Sequence, residues 1–347
     1  MDNAGRSYGR GARLNQDDPV LNARANARLA WAKQATGDEA IDLHSASSDA
    51  GFRSYWRGQT SQGSCVVMDS PPALEDVRPW LRMHALLQSG GVRVPRVQTQ
   101  NVEQGFLLLE DLGSRTYLDL FADHDADALF DTAITQLLHI QVIAPPTDLP
   151  AYDRALLERE LRLFDEWFLG RHLGVTLDTR ETAQLHDAYD LLVEAALAQQ
   201  QVLVHRDFMP RNLMPAAGDA AVLDFQDAVR GPLAYDALSL FKDAFHGWPP
   251  ERADAWLMHY RQRALDSGIT MPAADAFRRD ADWIGMQRHL KVLGIFARLN
   301  HRDAKPRYVA DAPRFVAYLE HVLPRYPRLA PLHALLQRHV LPRLQGR

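Results

Sequence analysis

Cysteine is nearly missing from this chain, with Cys65 alone among 347 residues. That excludes a disulfide framework and any cysteine-built metal centre, and it fits a reducing compartment such as the cytoplasm. Long apolar runs are missing too. No stretch approaches the roughly twenty consecutive apolar residues that span a bilayer, so no membrane partner is expected. Residues 1–18 are rich in Gly, Arg, Asn and Asp and lack an apolar core. They read as a disordered tail rather than a signal peptide or an anchor. A strong charge of one sign is also lacking: the formal net charge is −5, which speaks against a nucleic-acid partner. Glycine-rich phosphate loops of the GxGxxG and GxxxxGK[ST] kinds do not occur either.

What is there is concentrated between Val202 and Asp227. The run Val204-His205-Arg206-Asp207-Phe208-Met209-Pro210-Arg211-Asn212-Leu213 places an Asn five residues after an Asp, and Asp224 closes the next apolar run twelve residues later in Asp224-Phe225-Gln226-Asp227. Phosphoryl transfer needs this set of groups. Asp207 is the candidate base for the acceptor's hydroxyl proton, and Asn212 and Asp224 are candidate hard-oxygen ligands for Mg²⁺ against nucleotide phosphates. A plainer reading makes the His and Asp a buried turn cap and leaves the rest as loop residues. The second Asp at this distance favours the phosphotransfer reading. His205 is expected to pack under the loop and brace it. Only about ten residues separate Asp224 from Tyr235, too few for a long switchable activation loop.

Periodicity divides the rest. Alternation predicts strands at Glu39–Leu43, Phe52–Arg57, Cys65–Met68, Val94–Gln100 and Phe106–Glu110, with a helix over Pro72–Gln88. The small residues Ser45–Gly51 predict a turn, which is either a plain β-turn or one whose backbone N–H groups, at Ser47 and Ser48 among others, would meet phosphates. Asp111-Leu112-Gly113 reads as a hinge, and Phe106–Leu112, which is equally an ordinary buried strand, would set an apolar wall and backbone groups at Glu110 and Leu112 beside an adenine. Beyond it helical spacing dominates, interrupted by short strands at Val202–Val204 and Ala221–Leu223. The expected organisation is α+β: a β-rich nucleotide-binding lobe over 19–110 and a larger, mainly helical catalytic and substrate-binding lobe over 111–347.

The run His205–Leu213, the Asp224–Asp227 turn and Gly231-Pro232-Leu233-Ala234-Tyr235-Asp236 together resemble the aminoglycoside phosphotransferase/choline kinase superfamily. The segments Asp49–Arg57, Val67–Pro72 and His289–Tyr308 are similar to one branch, the bacterial anomeric kinases of N-acetylmuramate and N-acetylglucosamine. The resemblance covers roughly residues 20 to 345. It implies a protein-kinase-like two-lobed fold, ATP and Mg²⁺ as cofactors, and a small amino-sugar substrate phosphorylated at C1 during cell-wall recycling. It also implies that Asp236 structures the catalytic loop and that Asp227 lies at the substrate.

One departure stands out. The superfamily's third strand carries a phosphate-holding Lys paired with a Glu of the next helix, whereas Cys65-Val66-Val67-Met68-Asp69 has none. Either Arg53 or Arg57 substitutes, with Glu75 or Asp76 as the acid, or the phosphates lean on backbone amides and Mg²⁺ alone. From Arg278 onward there are fourteen Lys and Arg against five acids. That excess suits a carboxylate-bearing acceptor better than a polycation, with Arg288, Arg298 and Arg307 as candidates for the contact, or it marks the solvated faces of Arg-rich helices. The rival readings are another small-molecule kinase of the superfamily and a nucleotide-binding pseudokinase.

Overall fold

The computed structural model describes residues 19–48 and 52–345. The expected tail at 1–18 and the Asp49–Gly51 part of the expected phosphate turn lie outside the described residues. Internal contacts divide the chain into two units. The first runs to Thr116 and takes in Met214–Gln226; the second comprises Tyr117–Leu213 and Asp227 onward. This division differs from a boundary after Glu110 by two short segments.

The first unit contains α1 (Pro19–Thr36), β1 (Leu43–Ser48), β2 (Ser54–Thr60), β3 (Gly63–Asp69), α2 (Arg78–Ser89), β4 (Val97–Asn101) and β5 (Phe106–Glu110). The strands form one antiparallel sheet in the order β1-β2-β3-β5-β4. Its core packs Trp31 and Ala32 of α1 on Cys65, Val67, Phe106 and Leu108, which explains why β5 is apolar at every inner position. The Ser-rich segment is a correction. Ser45–Ser48 are not a turn but the end of β1, paired with β2 from Leu43↔Gly58 to Ser48↔Ser54 across an irregularity at Ser45/Ser47. On an exposed edge, small hydroxyl residues cost the strand little, because the ladder is made by the backbone.

The second unit opens with α3 (Tyr117–Leu120), α4 (Ala126–Val142) and α5 (Arg154–Leu163), which runs on as a π-helical turn over Phe164–His172. Then come α6 (Thr179–Ala198), started by a full capping box between Asp178 and Glu181, and β6 (Gln201–Val204). The chain next forms the hairpin of β7 (Leu213–Ala216) and β8 (Asp219–Val222), most of which belongs to the first unit. There Val222 N–H donates to the Arg93 carbonyl at 2.8 Å and Phe225 packs on Trp80 at 5.0 Å. Ala217 and Gly218 both take positive φ, 50° and 87°, as a tight two-residue hairpin turn requires.

The second unit resumes with β9 (Val229–Pro232), antiparallel to β6, followed by α7 (Tyr235–Phe241), α8 (Pro250–Asp266), α9 (Ala274–Asp303), α10 (Ala312–Val322), α11 (Ala330–Leu335) and α12 (Leu341–Gln345). The thirty-residue α9 is its spine. At Gly294 a Cβ would lie 2.3 Å from the backbone of Leu163, so only glycine lets these two helices approach so closely. Among the described residues no helix is long and apolar enough to cross a membrane.

Candidate active site

The catalytic-loop candidates sit between β6 and β7. Three buried residues, Val202, Leu203 and Val204, anchor the strand that delivers the loop, and Phe208 anchors the loop itself. Asp207 emerges exposed, while Asn212 is 9% exposed at the end of a 3₁₀ turn over Pro210–Asn212. Asn212 Nδ2 donates to the Asp207 carbonyl at 2.9 Å. That bond uses the amide's donor end and so fixes its orientation.

Arg206 has φ 76°, a left-handed conformation that strains a non-glycine residue by about 1–2 kcal/mol. Two anchors hold it there. Asp236, fully buried at the start of α7, accepts the His205 N–H at 2.6 Å and the Arg206 N–H at 3.0 Å, one on each carboxylate oxygen. His205 Nδ1 in turn accepts the Asp207 N–H at 3.3 Å. Burial pushes the Asp236 carboxyl up to about 6, with His205 and the two amides pulling the other way.

The second anchor was not singled out from the sequence. Glu160 of α5 is buried and ion-paired to Arg206 at 3.0 Å and to Lys291 of α9 at 2.8 Å. Tyr152 O–H donates to its other oxygen, and Gln287 Nε2 approaches that oxygen at 3.3 Å. Lys291 also reaches the Tyr235 hydroxyl at 3.2 Å. Burial raises the Glu160 carboxyl, but Lys291 and Arg206 outweigh it and hold the group below the usual carboxylate range. The loop is thus tied to α5, α7 and α9 by charge as well as by packing.

In the first unit, Asp224 has φ 61° and its Oδ1 accepts from Gln226 Nε2 at 2.8 Å. Burial separates the two arginine candidates sharply. Arg53 is 8% exposed and pairs with Glu75 at 3.1 Å. Arg57 is locked to Asp111, with Nε and Nη2 at 2.7 and 3.0 Å from its two oxygens, and donates again to the Gly113 carbonyl. Glu110 is held by Arg93 at 2.6 Å and by the Arg96 N–H at 3.1 Å. The acid beside Arg53 is therefore Glu75, in the turn before α2, and Asp76 instead pairs with Arg78. Ser47 is an exposed residue of β1, as its strand pairing requires, and Ser48 ends that strand.

The substrate candidates do not cluster. Arg288 and Arg298 are ten residues apart on α9, about 15 Å along the helix axis. Arg288 is 3% exposed, Arg298 is half-buried, and Arg307 is exposed with its guanidinium on Tyr308. Asp227 is exposed at the turn before β9. Six basic side chains after Arg278, including Lys291, Arg314 and Arg325, are each engaged by an acid. Part of the basic excess is thus spent on internal pairing.

A buried acid gripping two amides of a strained Arg-Asp loop, followed by an amide and then a carboxylate in the next turn, defines a kinase-like phosphotransferase. Residues 42–277 match the phosphotransferase enzyme family, and the chain belongs to that family. Two curated relatives are named N-acetylmuramate/N-acetylglucosamine kinase. One, from Pseudomonas putida, is 50% identical over 295 residues, covering 85% of this chain and 86% of its own. The other, from Pseudomonas aeruginosa, is 51% identical over 280 residues, covering 80% and 83%. Among solved structures, an ethanolamine kinase of Plasmodium vivax superposes with TM-score 0.59 at 9% identity, over 88% of this chain and 90% of its own. An ADP-bound aminoglycoside phosphotransferase superposes with TM-score 0.55 at 15% identity, over 83% and 96%. These likenesses show the two-lobed kinase-like fold.

Proposed function

We propose that this enzyme is an ATP-dependent sugar kinase that phosphorylates the anomeric C1 hydroxyl of N-acetylmuramate and N-acetylglucosamine in cell-wall recycling, in the cytoplasm. The observation that carries the reading is the name shared by relatives half identical to it over most of both chains. The loop chemistry supports it. An anomeric hydroxyl is more acidic than other sugar hydroxyls because the ring oxygen withdraws charge, so an exposed carboxylate such as Asp207 suffices as base. Asn212 and Asp224 offer an amide oxygen and a carboxylate, a donor set that fits Mg²⁺. The ion, when bound, supplies neutralisation of charge on the transferring phosphoryl group.

A screen of free sugars, methyl glycosides and aminoglycosides, with product linkage read by phosphorus NMR, tests the reading. N-acetylmuramate and N-acetylglucosamine are expected to give 1-phosphates, and methyl glycosides to be inert because the attacking hydroxyl is blocked. Efficient phosphorylation of a methyl glycoside, or of an aminoglycoside in preference to the free sugars, would overturn it.

In place of the missing third-strand lysine, Arg53 braced by Glu75 is the phosphate-holding cation. Arg53→Ala is expected to raise KM for ATP by the equivalent of about 1.5–3 kcal/mol, the worth of a charge-assisted hydrogen bond. Arg57→Ala, which frees Asp111, is expected to act mainly on stability. An unchanged nucleotide KM in Arg53→Ala leaves the phosphates to backbone and metal.

A further inference from the structure

Beneath the segment that follows α7, three buried side chains carry polar atoms that nothing engages. Asp243 is fully buried; its Oδ2 accepts the Phe245 and His246 N–H groups at 3.0 Å each, and its Oδ1 has no partner. Arg288 is 3% exposed, feels the Asp243 charge, and its Nη1 is unpartnered. His289, 2% exposed, stacks on Tyr318 at 4.9 Å and leaves Nε2 unpartnered. Folding rarely leaves such atoms unmatched, because each buried orphan is costly. A guanidinium this deep normally ends on a carboxylate; here the Asp243 carboxylate is spent half on its own loop.

The chain just past Asp243 is aromatic. Phe245, His246 and Trp248 are half-buried, and Trp248 Nε1 is likewise unpartnered. His246 and Trp248 stand at 4.3 Å, with Phe121 at 5.2 and 5.1 Å from them. The rim also touches the catalytic loop, since the Arg211 guanidinium lies 4.8 Å over the Phe245 ring. A polar floor, an aromatic rim and the loop that carries Asp207 therefore share one neighbourhood.

The floor is close to neutral. Asp243 offsets Arg288, and His289 is held uncharged by burial and by the positive charges of Arg288 and Lys242. A free carboxylate would add an uncompensated charge. A hydroxyl adds none, and as both donor and acceptor it satisfies Asp243 Oδ1 and Arg288 Nη1 at once. We infer that Asp243 and Arg288 form a hydroxyl-reading subsite for the acceptor, a ring hydroxyl of the sugar bridging the two, with the Phe245–Trp248 rim against the ring face. This subsite rests on the sugar-kinase reading and adds to it the residues that select the acceptor. It also replaces the carboxylate role given to Arg288.

The test measures kcat/KM for N-acetylglucosamine and its 3-, 4- and 6-deoxy analogues in the wild type, Arg288→Met and Asp243→Asn. Each variant is expected to lose about 10- to 100-fold on the parent sugar. On one deoxy analogue, already poor for the wild type, the same substitution is expected to cost little more. Should Arg288→Met not fold, Arg288→Lys keeps the buried charge but misplaces the donor, and gives the same readout. Equal losses on all four sugars, or none, would overturn the subsite alone. Wild-type inactivity on the parent sugar would instead overturn the sugar-kinase reading on which it stands.

Discussion

Asp207→Asn is expected to yield a folded protein that binds nucleotide normally but turns over roughly 10²–10⁴ times more slowly, the usual cost of losing a general base. The surroundings of this carboxylate separate it from its neighbours. Asp236, a few residues beyond β9, is buried and spends both oxygens on backbone amides, so it has none to offer a substrate. Asp207 is exposed, and its N–H is already satisfied by His205. Asparagine preserves its size but cannot accept a proton. Single-turnover kinetics across pH check the assignment. Near wild-type turnover with an unaltered pH profile would remove Asp207 from the role.

The second large effect falls on a residue that touches no reactant. Glu160→Gln is expected to destabilise the fold by about 3 kcal/mol, the low end of the range for breaking a buried pair, because Arg206 keeps some contact with solvent. Turnover is expected to fall as well, since the strained Arg206 loses the partner that holds its side chain. The carboxyl is held below the usual range in the folded state, so the folded protein binds this proton less readily than the unfolded chain. Its stabilisation is therefore present above about pH 4.3 and is lost as pH falls below that value. Denaturant melts at pH 7 and below pH 4 check both parts: the gap between wild type and variant should be wide in the first and narrow in the second. A constant gap would show that the pair contributes through shape and not charge.

Much of this was legible in the sequence. The loop His205–Asn212, the acid at Asp224 and the split between a β-rich and a helical half all announce themselves by spacing. The misses have particular causes. β7 carries Pro215, which demotes an apolar run to a turn, and β9 is four residues containing Gly231 and Pro232. The Ser-rich end of β1 has turn composition, but its pairing with β2 decides its conformation. Glu160 is the instructive omission. It lies in the inward stripe with Leu157, Leu161 and Phe164, where an acid is out of place, and Lys291 interrupts the apolar run Leu290–Phe296 in the same way. Two opposite charges inside two apolar stripes are a signal that they meet, but which helices face each other is a tertiary fact that periodicity does not contain. A related limit applies to the basic excess near the C-terminus: a count of charges does not say which are already paired.

The short helix α7 separates two tasks in this enzyme. Its first turn carries the acid that grips the catalytic loop, and the chain just past its last turn carries Asp243, some 10 Å further along a rigid rod. Registration between the loop that carries Asp207 and whatever rests against the far end is thus set by a ruler of fixed length. Substitutions over Lys242–Trp248 could therefore reshape the far end while the end that grips the loop keeps its place.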